Sequence, residues 1–127
     1  MSGVAYVDTS CVVAIAFAER GAASLARRLR NFDEIVASEL LEAELRSAFV
    51  RENVPFRAEL TAALSWIIPD RPLHAEIERV LGAGYVCGAD CWHLATALYA
   101  AGNPAELRFL TLDERQRNLA RTLGFRT

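Results

Sequence analysis

At 127 residues the chain has the length of one domain, and its 53% hydrophobic and 24% charged residues exclude a disordered polymer. No apolar run approaches the roughly 18 residues of a membrane span. The N-terminus lacks the basic, apolar and small-residue succession of an export signal, so the cytoplasm is the expected location. The net charge of −2 excludes a uniformly basic surface for polyanions. All the basic side chains are arginine, whose planar fork suits local phosphate contacts, although a biased genome would leave the same composition.

Val4 to Val7 reads as a short buried strand ending at Asp8-Thr9-Ser10. A helix is expected from Ser10 to about Glu19, and Gly21 separates it from a second, Ala22 to Arg30. Glu34 to Ala37 forms the next strand. Ser38 is placed to cap a long helix running through Arg51, and Pro55 to open another reaching about Trp66. Ile67-Ile68 is a strand candidate, stopped by Pro69-Asp70-Arg71-Pro72. A helix follows from about Leu73 to Ala83, closed by Gly84, and a strongly apolar one from Asp90 to Gly102. Leu107 to Leu112 is the clearest remaining strand. Asp113 caps a last helix to about Leu123, and a short strand near Phe125 completes the pattern.

Strands alternating with helices at this spacing imply parallel βαβ units, and hence an α/β fold in three layers with no second domain. In such sheets ligands gather beyond the carboxyl ends of the strands, where Asp8 and Asp113 both fall.

Each aspartate has a purely structural explanation. Asp8 can cap the first helix, Asp113 with Gln116 fits a capping box, and Asp90 stands just before a helix, where a carboxylate complements the dipole. Glu44 is different. It falls within the apolar stripe of Leu41, Leu45, Ala48 and Phe49, so it should point toward the sheet, unlike Glu39 and Glu42. An inward carboxylate is costly unless paired, protonated or coordinated. Cys11, Cys87 and Cys91 are an odd set suited to reduced thiols, and Cys87, Cys91 and His93 lack a fourth ligand for structural zinc.

Tyr6-Val7-Asp8-Thr9-Ser10, Ser38-Glu39-Leu40 leading to Glu44, Asp90-Cys91-Trp92-His93-Leu94-Ala95-Thr96-Ala97, and Leu110-Thr111-Leu112-Asp113-Glu114-Arg115 together resemble a PIN domain. In its small form the chain is similar to the VapC toxins of bacterial toxin–antitoxin pairs. The resemblance implies an α/β/α sandwich with a five-stranded parallel sheet of order 3-2-1-4-5, bringing Asp8 beside Asp113. Glu44 and Asp90 then complete an acidic pocket, supported by Ser10 and Thr111. Cys91 and Trp92 depart from the family's small and aliphatic residues. Arg115 stands where some members carry a further acid, and His93 matches a frequent histidine without a catalytic role assigned to it.

Carboxylate oxygens suit Mg²⁺ or Mn²⁺. The resemblance therefore implies an endoribonuclease that hydrolyses RNA phosphodiesters by metal-activated water, with no covalent intermediate. Arg115 and Arg117 are candidate phosphate contacts. A VapB-like antitoxin and homodimerisation are further implications. The alternatives are a housekeeping PIN nuclease without an antitoxin and a catalytically silent PIN module that only binds.

Overall fold

The computed structural model describes residues 3–127. Its elements in chain order are β1 (Val4–Val7), α1 (Thr9–Ala16), α2 (Ala22–Leu29), β2 (Glu34–Ser38), α3 (Glu39–Arg51), β3 (Leu64–Ile67), α4 (His74–Ala83), α5 (Gly88–Ala100), β4 (Leu107–Leu110) and α6 (Glu114–Thr122). The four strands form one sheet of order β3-β2-β1-β4, and every pairing is parallel.

Alternation along β1 divides the core. Ala5 and Val7 face a cluster that includes Val12, Leu41, Leu45 and Phe49 from α1 and α3. Tyr6 faces the other way, among Val80, Leu94, Leu98, Phe109 and Leu119 from α4, α5, β4 and α6. Two apolar faces on one sheet require a helical layer on each side, which is the expected sandwich. Tyr6 stacks on Phe109 of the neighbouring strand at a centroid distance of 5.1 Å.

Two expectations are corrected. The helix foreseen from Pro55 to Trp66 is a single 3-10 turn, Ala58–Leu60, followed by β3. Leu64 to Ile67 pair in register with Ile35 to Ser38, supplying partners to backbone groups on β2 that no helix there could satisfy.

Among the described residues the sheet has four strands, and the expected fifth is reduced to one parallel bridge between Arg108 and Arg126. Gly124, at φ 103°, turns the chain after α6 and Phe125 enters the core, so only Arg126 lies along β4.

Other boundaries shift slightly. α1 ends at Ala16, before Glu19, and α5 begins at Gly88, before Asp90. β4 stops at Leu110 because side chains take the next donors: Ser10 Oγ accepts from Leu112 N–H and Thr111 Oγ1 from Asp113 N–H.

Candidate active site

The carboxyl ends of the neighbouring strands β1 and β4 carry the site. β1 pairs with β4 so that Val7 opposes Leu110, and the Asp8 amide donates to the Leu110 carbonyl at 3.1 Å. Asp8 thus follows one strand directly while Thr111 follows the other. Ser10 Oγ donates to Asp8 Oδ1 at 2.6 Å, and Thr111 Oγ1 lies 3.0 Å from Oδ2.

Asp8 stands at the N-cap of α1, yet its side chain makes no cap hydrogen bond to the helix. The capping explanation therefore fails for this residue, which is only 4% exposed. Burial pushes its carboxyl above the usual range, as does the nearby Asp90 carboxylate, while the Ser10 and Thr111 hydroxyls and His93 pull the other way.

Asp113 is a true cap, its Oδ1 accepting from Gln116 N–H at 2.7 Å. The expected reciprocal half of that capping box is absent. The Gln116 side chain is fully buried; its amide donates to the Asp90 carbonyl at 3.3 Å and its Oε1 lies 2.8 Å from Thr111 Oγ1. Thr111 and Gln116 therefore connect Asp8, Asp90 and Asp113 through one set of bonds, buried at Asp8 and part-buried at Asp90 and Asp113. Asp90 itself is in the first turn of α5.

Glu44 is half-buried, as its place on the stripe of α3 predicts, with its side chain 35% exposed. Oε1 accepts from Thr9 Oγ1 at 2.6 Å and faces His93 Nε2 at 2.9 Å. His93 is 2% exposed, and its other ring nitrogen meets the Tyr6 hydroxyl at 2.7 Å. These bonds hold the Glu44 carboxyl below the usual range, the His93 contact most strongly. Glu44 and His93 belong to opposite helical layers and meet beside Thr9, just beyond β1.

The arginines divide. Arg117 donates to the Thr111 carbonyl at 2.7 Å, bracing the turn that carries Thr111. Arg115 is exposed, with its guanidinium 6.0 Å from the centroid of the exposed Tyr85 ring. Trp92 reaches back to the start of α3, where Nε1 donates to Ser38 Oγ at 3.0 Å, and Ser38 in turn caps Leu40. Cys87 is exposed, and Cys11 and Cys91 are buried free thiols.

Sequence reading passed over Tyr6 and Thr9 and gave His93 no part. Thr9 lies between two residues it did select, and His93 follows Asp90 by one helical turn, so the spacing was available. Among the described residues no three His, Cys, Asp or Glu side chains converge closely enough to hold an ion. A cavity of about 670 Å³ between α4 and the start of α5 has none of the four acids in its lining. No described helix is long and apolar enough to cross a membrane.

Asp8 and Asp113 follow the adjacent parallel strands β1 and β4 at the topological switch point of the sheet, where the sites of α/β enzymes form. The model of the PIN domain matches residues 5–122, and the chain belongs to that family. Curated proteins yield no match to the chain. Family membership supports nuclease-type chemistry on the phosphodiester bonds of a nucleic acid.

Proposed function

We propose that the protein is a Mg²⁺- or Mn²⁺-dependent endoribonuclease, the toxin of a VapBC-type pair, with Asp8, Glu44, Asp90 and Asp113 as its catalytic and metal-binding residues. The observation that carries this reading is Asp8. It is a buried carboxylate that caps nothing, held from both sides by Ser10 and Thr111 and facing the charge of Asp90.

The donor set fits a hard divalent cation in kind. It is made of carboxylate oxygens, and a cation offsets the charge that burial disfavours on Asp8. Asp8 and Asp90 would be the first ligands, with Asp113 and Glu44 completing the acidic wall. When bound, the ion supplies Lewis-acid activation of water and stabilisation of the leaving oxygen.

The chain's own residues do the rest. Ser10 and Thr111 fix the rotamer of Asp8, Gln116 ties the α5 turn of Asp90 to β4, and Thr9 and His93 hold one oxygen of Glu44. Arg115 is exposed and free to meet an RNA phosphate, whereas Arg117 is engaged with the Thr111 carbonyl. A cytoplasmic location, a VapB-like antitoxin and a homodimer belong to the same reading.

One observation favours a second reading, that of a silent binding module: no three candidate ligands converge among the described residues. Sequencing of RNA ends after induced expression, beside an Asp8→Asn control, decides between them. Discrete cleavage ends that vanish in the control support the nuclease, and their absence from both leaves the binding module. A housekeeping nuclease differs by cutting RNA with no small antitoxin encoded alongside.

A further inference from the structure

A chain of hydrogen bonds runs from Tyr6 through His93 to Glu44, and its polarity follows from the carboxylate at its end. His93 Nε2 faces Glu44 Oε1 at 2.9 Å, and an ionised carboxylate only accepts, so Nε2 carries the ring proton. In the neutral ring Nδ1 is then the bare nitrogen, and it accepts from the Tyr6 hydroxyl at 2.7 Å. Thr9 donates to the same Glu44 Oε1 at 2.6 Å.

We infer that His93 is a positioning residue for Glu44: held between the Tyr6 hydroxyl and the carboxylate, the imidazole is an Nε2–H donor, which with Thr9 pins Oε1 and leaves Oε2 open. The inference rests on the nuclease reading for its purpose, but not for its geometry. Oε2 has no protein partner among the described residues, and the side chain keeps 35% of its surface exposed. Pinning one oxygen and leaving the other open selects a single carboxylate orientation before substrate arrives. Support of this kind distinguishes a precise site from a loose one.

The test begins with ring nitrogen NMR on the full chain labelled at histidine. The only other histidine is the exposed His74, so His74→Gln assigns the His93 signals. The expected spectrum has a bare Nδ1 and a proton on Nε2, and in Tyr6→Phe the Nδ1 signal moves while Nε2 keeps its proton. A proton on Nδ1 in the wild type would overturn the inference. His93→Leu should move the Glu44 carboxyl carbon resonance and lower kcat about 10- to 100-fold with little change in KM. His93→Gln, which retains a donor at the Nε2 position, should restore both.

Wild-type kcat in His93→Leu, or a Glu44 resonance that stays in place, would also overturn it. Should His93→Leu fail to fold, His93→Asn carries the same readouts against His93→Gln, since its amide reaches only the Nδ1 position and leaves Glu44 Oε1 without the donor that Gln retains. The tautomer and carboxyl signals are read without RNA. A chain that cleaves nothing would therefore sink the nuclease reading while these measurements still decide the positioning role.

Discussion

Thr111 stands between Asp8 and Gln116 with one proton to give, its Oγ1 3.0 Å from Asp8 Oδ2 and 2.8 Å from Gln116 Oε1. With Asp8 ionised, the proton belongs to the carboxylate. With an amide at position 8, the new Nδ2 can donate to Thr111, whose proton then turns to Gln116, and every group keeps a partner.

Asp8→Asn should therefore fold well. Burial raises the Asp8 carboxyl in the folded state, so the folded chain holds this proton more tightly than the unfolded chain. Stability attributable to Asp8 is full below the unfolded carboxyl range and declines as pH rises through the raised folded value. In EDTA at neutral pH the variant should melt at or above the wild-type temperature, and its Tm should fall less steeply as pH rises above the carboxyl range. A variant clearly less stable than wild type would mean that Asp8 is structural.

Metal addition should reverse that order. Chelation should abolish cleavage, and Mg²⁺ or Mn²⁺ should restore it. The wild type should gain about 2.7 kcal/mol at 100 times the dissociation constant, as mass action requires. Asp8→Asn should gain much less. Equal gains in a thermal-melt titration would remove Asp8 from the ligand set, and undiminished cleavage in excess EDTA would remove the metal altogether.

Glu44 carries the opposite pH sign to Asp8. Its carboxyl is held low, chiefly by His93, so its contribution is present above the usual carboxyl range and lost as pH falls through the depressed folded value. Glu44→Gln should be less stable than the wild type above the carboxyl range, with the difference vanishing in acid, and should lower kcat on the order of 100-fold. Glu42, in an exposed pair with Arg46, should tolerate Gln with near-normal activity. Equal losses at both positions, measured on one RNA substrate, would refute the assignment of Glu44.

Thr111→Val removes a hydroxyl that serves three partners. Asp113 N–H loses its acceptor, and Asp8 loses a donor, in a place only 4% exposed. The expected cost is about 1–3 kcal/mol in urea unfolding, the range for stranding buried polar groups. Removing Asp8's donor should also steepen the fall of metal-free stability with rising pH. A neutral substitution would show that water replaces the hydroxyl.

Periodicity in the chain was enough to determine the layers, and it put Glu44 on the buried face of α3 and Asp8 and Asp113 beyond strand ends. Those placements need only local patterns: apolar residues at helical spacing, short branched runs, and turn residues between them. The same local logic misread residues 55–66, because the competing partner was the edge of β2, invisible to neighbours in sequence. It also drew a fifth strand where only Arg126 reaches β4.

The tertiary structure alone decided what each acid does. Asp8 and Asp113 looked alike as caps, yet only Asp113 binds its helix, while Asp8 is claimed by Thr111 from the end of the neighbouring strand. Whether a hydroxyl meets a carboxylate or a backbone amide depends on strand register, here Val7 opposite Leu110. The link from Tyr6 through His93 to Glu44 joins three elements distant in the chain and two helical layers. Sequence spacing sets which way a side chain leaves its own helix or strand; only the packed sheet sets what it finds there.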